Sequence, residues 1–199
     1  MSATTEDLPA LLRDIRKCRI CAGVLPHEPR PVLRAEPTAR LMICGQAPGT
    51  RVHASGVPFS DPSGVRLRQW LDMEPDTFYD ASRVAIVPMG FCFPGLDAKG
   101  GDLPPRRECA PTWHARVRGH LPALGLTVLV GRYAQAFYLG PNTGSLAETV
   151  RDWRRFLPQF FPLPHPSWRN NAWLKQNPWF DAEVVPALRQ AVNSVLAGK

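Results

Sequence analysis

Four short apolar runs punctuate the chain: Leu41-Met42-Ile43-Cys44, Val84-Ala85-Ile86-Val87, Thr127-Val128-Leu129-Val130 and Phe160-Phe161-Pro162-Leu163. None alternates with polar residues and none is long enough for a buried helix, so each predicts a strand covered on both faces. Between the runs the apolar period lengthens to that of a helix. Leu8, Leu11, Leu12 and Ile15 fall at i, i+3, i+4 and i+7, with Thr5 placed to cap that helix and Pro9 in its first turn. Further helices are expected at Ser63–Leu71, at Ala110–Leu124, from Gly131 through Leu139, at Leu146–Leu157 and from about Asn177 to Leu196, the last kinked at Pro186. Strands alternating with helices predict an α/β fold: a three-layer sandwich with a central four-stranded parallel sheet flanked by helices. No repeat, low-complexity tract or linker interrupts it, so residues 1–199 read as a single domain.

Two segments break the pattern where chemistry is expected. Gly45 to Gly64 follows the first strand and holds four glycines and three prolines in twenty residues, interleaved with Gln46, Arg51, His53, Asp61 and Phe59. Glycine lets a backbone approach a ligand and proline fixes the path of a loop. His165-Pro166-Ser167 begins where the fourth strand stops. In open α/β sheets ligands bind outside the carboxyl ends of the strands, which would bring these two segments to one edge. Residues 89–109 form a long stretch without period, unusual in a compact domain unless it is functional or tied down.

Charge and cysteine content narrow the partners. The 199 residues carry a net charge of +7, mostly from arginine, whose planar fork suits phosphate; a nucleic acid or nucleotide is favoured over an acidic protein. The 22 prolines are roughly twice average usage and imply stiff, ordered loops. No apolar run approaches a membrane span, and Met1 to Thr5 lacks the regions of a signal peptide, so a cytoplasmic protein is expected. In that compartment cysteines serve as ligands or free thiols rather than disulfides. Cys18-x-x-Cys21 and the pair Cys92 and Cys109, with sixteen residues between them, could hold zinc or an iron–sulfur cluster, or be four buried thiols. Cys44 ends a strand and reads as core.

Together these parts resemble the uracil-DNA glycosylase superfamily, specifically its iron–sulfur classes. Gly45-Gln46-Ala47-Pro48-Gly49, six residues, then Gly56-Val57-Pro58-Phe59 repeats the layout of that class's first motif. The cysteine placement matches its cluster pattern, and His165-Pro166-Ser167, two residues, then Asn170 looks like the second catalytic motif. The resemblance spans about residues 8–180. Three departures stand out. Gln46 replaces the motif's glutamate, Ala47 falls where the best-known class has an aspartate, and Pro88 stands at the uracil-reading asparagine. Asp61-Pro62-Ser63-Gly64 looks like the Asp-x-Ser-Gly segment of a broad-specificity class.

The resemblance implies a monofunctional DNA glycosylase acting as a monomer on uracil and related deaminated bases in DNA, with a structural [4Fe–4S] cluster on Cys18, Cys21, Cys92 and Cys109. His165, neutral, would donate to the leaving base; Asp61 would polarise water or balance charge on the sugar; Gln46 would hold the water. Ala47, Gly49, His53 and Phe59 would shape the base slot, Asn170 would orient the loop or touch the base, and His53 rivals Asp61 as the water-activating group. Trp168 and Arg169 would fill the gap left by a flipped nucleotide. No lysine stands in these motifs, so no Schiff base and no strand cleavage are expected. Two alternatives compete: a reader that keeps fold and cluster without chemistry, and a zinc-containing nucleotide-binding protein. The arginines at 66, 68, 154 and 155 read by default as solvated faces.

Overall fold

The computed structural model describes residues 7–140 and 143–198. Its centre is one sheet of β1 (Leu41–Cys44), β2 (Val84–Ile86), β3 (Leu126–Val130) and β4 (Phe160–Leu163), in the order β2-β1-β3-β4 with every neighbouring pair parallel. Side chains alternate across the sheet. Leu41 and Ile43 join one core with Val128, Val130, Phe161 and Leu163, while Met42 and Cys44 join the opposite one with Ala85 and Leu129. The unbroken apolar runs follow directly, because both faces are covered.

The helices fall into two layers. The first core is covered by α3 (Pro62–Leu71), the single turn α4 (Pro75–Phe78), α7 (Leu146–Arg151) and α9 (Val185–Leu196), through Leu67, Phe78, Val150 and Leu188 among others. The second is covered by α1 (Leu8–Arg16), α5 (Cys109–Gly119) and α6 (Arg132–Leu139), through Leu11, Val117 and Ala134. Two short helices, α2 (Thr50–Ser55) and α8 (Asn171–Gln176), follow the first and last of the site loops. The expected three-layer sandwich is present.

Several boundaries differ from expectation for local reasons. Asp7 caps α1, accepting from Ala10 N at 2.7 Å; Thr5 lies outside the described residues. The helix expected over 146–157 ends at Arg151 and tightens into a 3-10 turn, Trp153–Phe156. Near the C-terminus a π-helical turn, Phe180–Val184, runs into α9 with Pro186 in its first turn. Pro186 has no N–H to return to residue 182, so the widened turn and not a sharp kink absorbs the missing bond. Residues 89–109 are not structureless. Leu96 and Asp102 form an antiparallel bridge, and Asp97 Oδ1 accepts from the N–H of Lys99 and of Gly101, both at 2.8 Å, closing a miniature hairpin.

Candidate active site

Beyond β1 the chain bends away at Gly45, and beyond β2 it continues alongside: Val87 N donates to Ile43 O, Met89 N to Gly45 O and Gly90 N to Gln46 O. Pro88 cannot join that ladder and faces a cavity of about 450 Å³ at the carboxyl edge of the sheet. Gln46, Ala47, Gly49, Phe59, Asp61, His165, Trp168 and Arg169 also line it. The two segments that the sequence set far apart therefore meet across one cavity.

Each wall is held in place by identifiable bonds. Phe59 has φ 53°, unusual for a bulky residue, and its carbonyl accepts from Tyr79 Oη at 3.1 Å. Gly64 lets α3 begin directly against that carbonyl; a Cβ there would stand 1.8 Å from Phe59 O. Asp61 caps α3, its Oδ1 accepting from Gly64 N at 3.1 Å, so one carboxylate both starts the helix and faces the cavity. Gln46 Nε2 donates to Leu103 O at 3.0 Å, fastening the hairpin base to the first loop. Across the mouth Arg169 Nη2 donates to Gly100 O at 2.9 Å.

His165 is the most constrained polar group. Leu163 O, at the end of β4, accepts from Gly131 N and from the buried Gln135 Nε2, both at 2.9 Å, and this fixes where the loop departs. Asn170 Nδ2 donates to His165 O at 2.7 Å. Ser167 N donates to His165 Nδ1 at 3.2 Å. A backbone N–H can only donate, so Nδ1 is an acceptor and the ring proton resides on Nε2. Burial lowers the pKa of His165, partly opposed by the nearby charge of Asp61, and holds the ring neutral at pH 7.

One residue expected in the slot lies elsewhere. His53 is not among the residues lining the cavity; its ring packs against His27 and Phe93, with centroids at 5.0 and 5.8 Å, and Arg30 donates to its carbonyl. The helix α2 carries it away, because Gly56 at φ 72° closes that helix and turns the chain back. Of the two roles open to Asn170, the structure places it in the first: it lies off the cavity wall and orients the His165 loop. Arg66 and Arg68, read as solvated, are engaged. Arg66 Nη1 donates to Asn171 Oδ1 at 2.8 Å and lines the cavity, and Arg68 Nη1 donates to Tyr79 Oη at 3.2 Å. Arg154 and Arg155 stay exposed, lying over the rings of Trp153 and Phe156.

With this geometry in view, the comparison with known families is decisive. The family model of the uracil DNA glycosylase superfamily matches residues 34–189. The chain belongs to that superfamily. The crystal structure of wild-type SMUG2 from Pedobacter heparinus is similar over 81% of this chain and 74% of its own, at 13% identity and a TM-score of 0.37, too distant to say more about the site.

In this superfamily member the four cysteines away from the sheet line a second, smaller pocket with Phe91, Arg106 and Trp113. All are free thiols. Burial pushes Cys92 up to about 11 and Cys109 up to about 12, with Cys18 and Cys21 adding to both, so these two thiols are protonated when bare. Phe91 N donates to Cys109 Sγ at 3.3 Å. No group of three or more His, Cys, Asp or Glu that could hold a metal ion is found among the described residues. No helix among them is long and apolar enough to cross a membrane.

Two buried polar residues and one carboxylate escaped the sequence reading. His114 Nε2 donates to Pro88 O at 2.9 Å and its Nδ1 accepts from Tyr138 Oη at 2.8 Å, bracing the cavity wall from behind. Gln135 braces the other side. Both are single polar positions on otherwise apolar helix faces, and that mismatch is the signal available in sequence. Asp102, on the hairpin, lines the cavity but sits in a glycine-rich stretch with no pattern to flag it.

Proposed function

We propose that this protein is a monofunctional DNA glycosylase that hydrolyses the N-glycosidic bond of uracil, and of related deaminated bases, after the base leaves the helix. The observation that carries the reading is His165: neutral, facing a cavity roomy enough for a nucleobase with its sugar, its Nδ1 occupied by Ser167 N–H and its Nε2–H left to donate. As the C1′–N bond breaks, the base takes the bonding pair and becomes an anion while the sugar develops positive charge. A preorganised donor at the base carbonyl is typically worth ~10²–10³ in rate.

The other residues supply what remains. Phe59 gives a flat wall for the flipped base, its ring edge-on to Phe78 and backed by Gly45. Gln46 has its amide N–H committed to Leu103 O, leaving its carbonyl oxygen to accept from a water. Asp61 keeps one carboxylate oxygen unspent and offsets the charge on the sugar. Trp168, 69% exposed at the mouth with Arg169 stacked over it at 5.2 Å, suits insertion into the gap left in the helix. Pro88 offers no side-chain hydrogen bond where a uracil reader would stand, which favours a broad base range.

A [4Fe–4S] cluster on Cys18, Cys21, Cys92 and Cys109 is part of the same proposal. The four thiols share one pocket wall, and Arg106 and Arg19 lie near enough to influence Cys21 and Cys92. A single zinc would draw four sulfurs to within ~2.3 Å of one point. A multinuclear cluster, when bound, would tie the N-terminal pair to both ends of residues 92–109.

The competing reading is a non-catalytic DNA reader, favoured by Gln46 and Ala47, neither of which supplies a base. Incubation with uracil-containing single- and double-stranded oligonucleotides, followed by alkali, separates the two. The enzyme leaves alkali-labile abasic sites and no prior strand cut. His165→Ala should lose at least about tenfold in rate while folding normally. Wild-type turnover in that variant would remove His165 from the mechanism.

A further inference from the structure

The Asp102 carboxylate lines the cavity beside Asp61, yet no hydrogen bond or ion pair to it exists among the described residues. The hairpin does not depend on that side chain, since its turn is closed by Asp97 and its register by backbone bonds Asp97 N to Gly101 O and Leu103 N to Gly95 O. It is instead pressed against the first loop: a Cβ at Gly49 would stand 3.3 Å from Asp102 Oδ2. An unpaired anion at the mouth of a cavity meant for DNA repels phosphate, so binding alone gives no reason for it. Chemistry does.

We propose that Asp102 is the proton acceptor for the attacking water, so that the site works with two carboxylates. This rests on the glycosylase reading and deepens it. Water oxygen bonds to C1′ as the C1′–N bond breaks, and the bonding pair leaves with the base, met by His165 Nε2–H. The water proton passes to the Asp102 carboxylate, which then releases it to solvent, where the base anion is protonated. Asp61, one oxygen held by Gly64 N–H, keeps its charge for the sugar. Burial raises the pKa of Asp102, the charges of Asp61 and Asp97 raise it further and Arg169 opposes them, which moves it toward the range useful for a base. Arg51 and Arg66 line the same cavity.

Single-turnover excision of uracil from an oligonucleotide tests this with wild type, Asp102→Asn, Asp102→Glu and, as a hairpin control, Lys99→Ala. Asp102→Asn should slow excision by about 100-fold and lose the acid limb of its rate–pH profile, with oligonucleotide affinity unchanged or tighter. Asp102→Glu should keep the acid limb, and Lys99→Ala the full rate. An Asp102→Asn rate equal to wild type, or a loss matched by weaker binding, overturns the proposal and leaves the glycosylase reading standing. If the wild-type protein itself releases no base, the glycosylase reading fails and this inference falls with it. Thermal melts of each variant show whether a lost rate is lost structure, and in that case the Asp102→Glu profile decides.

Discussion

At the scale of single residues the cavity is built on protons whose addresses are fixed. His114 donates to Pro88 O and accepts from Tyr138 Oη, so it must be neutral to do both. Burial lowers its pKa to about 4. The folded state therefore binds fewer protons than the unfolded chain between about 4 and an ordinary histidine value of ~6.5, and stability rises with pH through that window. Above it the contribution is full; as pH falls it drains away. From this residue alone, urea unfolding should show a loss of about 2 kcal/mol between pH 7.5 and pH 5. His114→Gln, which cannot titrate, should flatten that dependence. An unchanged slope would mean that another group dominates acid sensitivity.

Elements are shaped here by close approaches more than by propensity. The start of α3 against Phe59 O is the tightest, so Gly64→Ala should cost at least about 2 kcal/mol and lower the melting temperature by roughly 5 °C or more. Gly119→Ala is the contrast: a Cβ there meets nothing within 4 Å at the end of α5, and the change should be neutral or stabilising by up to about 1 kcal/mol. A pair of thermal melts compares them. The strands were legible in sequence because a sheet covered on both faces demands unbroken apolar runs. Helix α2 was not, since its six residues bury only Val52 and leave no period to see. That omission is also why His53 seemed to belong in the slot. Asp61 and His165 were legible from motif order, whereas Asp102 depends on a hairpin that only tertiary bonds define.

On the scale of the whole molecule, the sheet supplies one edge of the cavity and residues 89–109 supply the wall that faces it. His114 holds Pro88 just before that segment, Gln46 holds it at Leu103 and Arg169 at Gly100, with cysteines near both ends. If those cysteines carry a cluster, purified protein should be brown with broad visible absorbance, and Cys109→Ser should lose the colour. Excision should then fall in the variant while the far-ultraviolet circular dichroism of the sheet and helices persists. A colourless, zinc-loaded preparation would refute the cluster. The placement of Asp102 between Cys92 and Cys109 has a consequence for how such a chain can diverge. If a cluster sits there and Asp102 takes the water proton, a lineage discarding its sulfurs would loosen the segment that carries its own base, and the two would tend to be inherited, or abandoned, together.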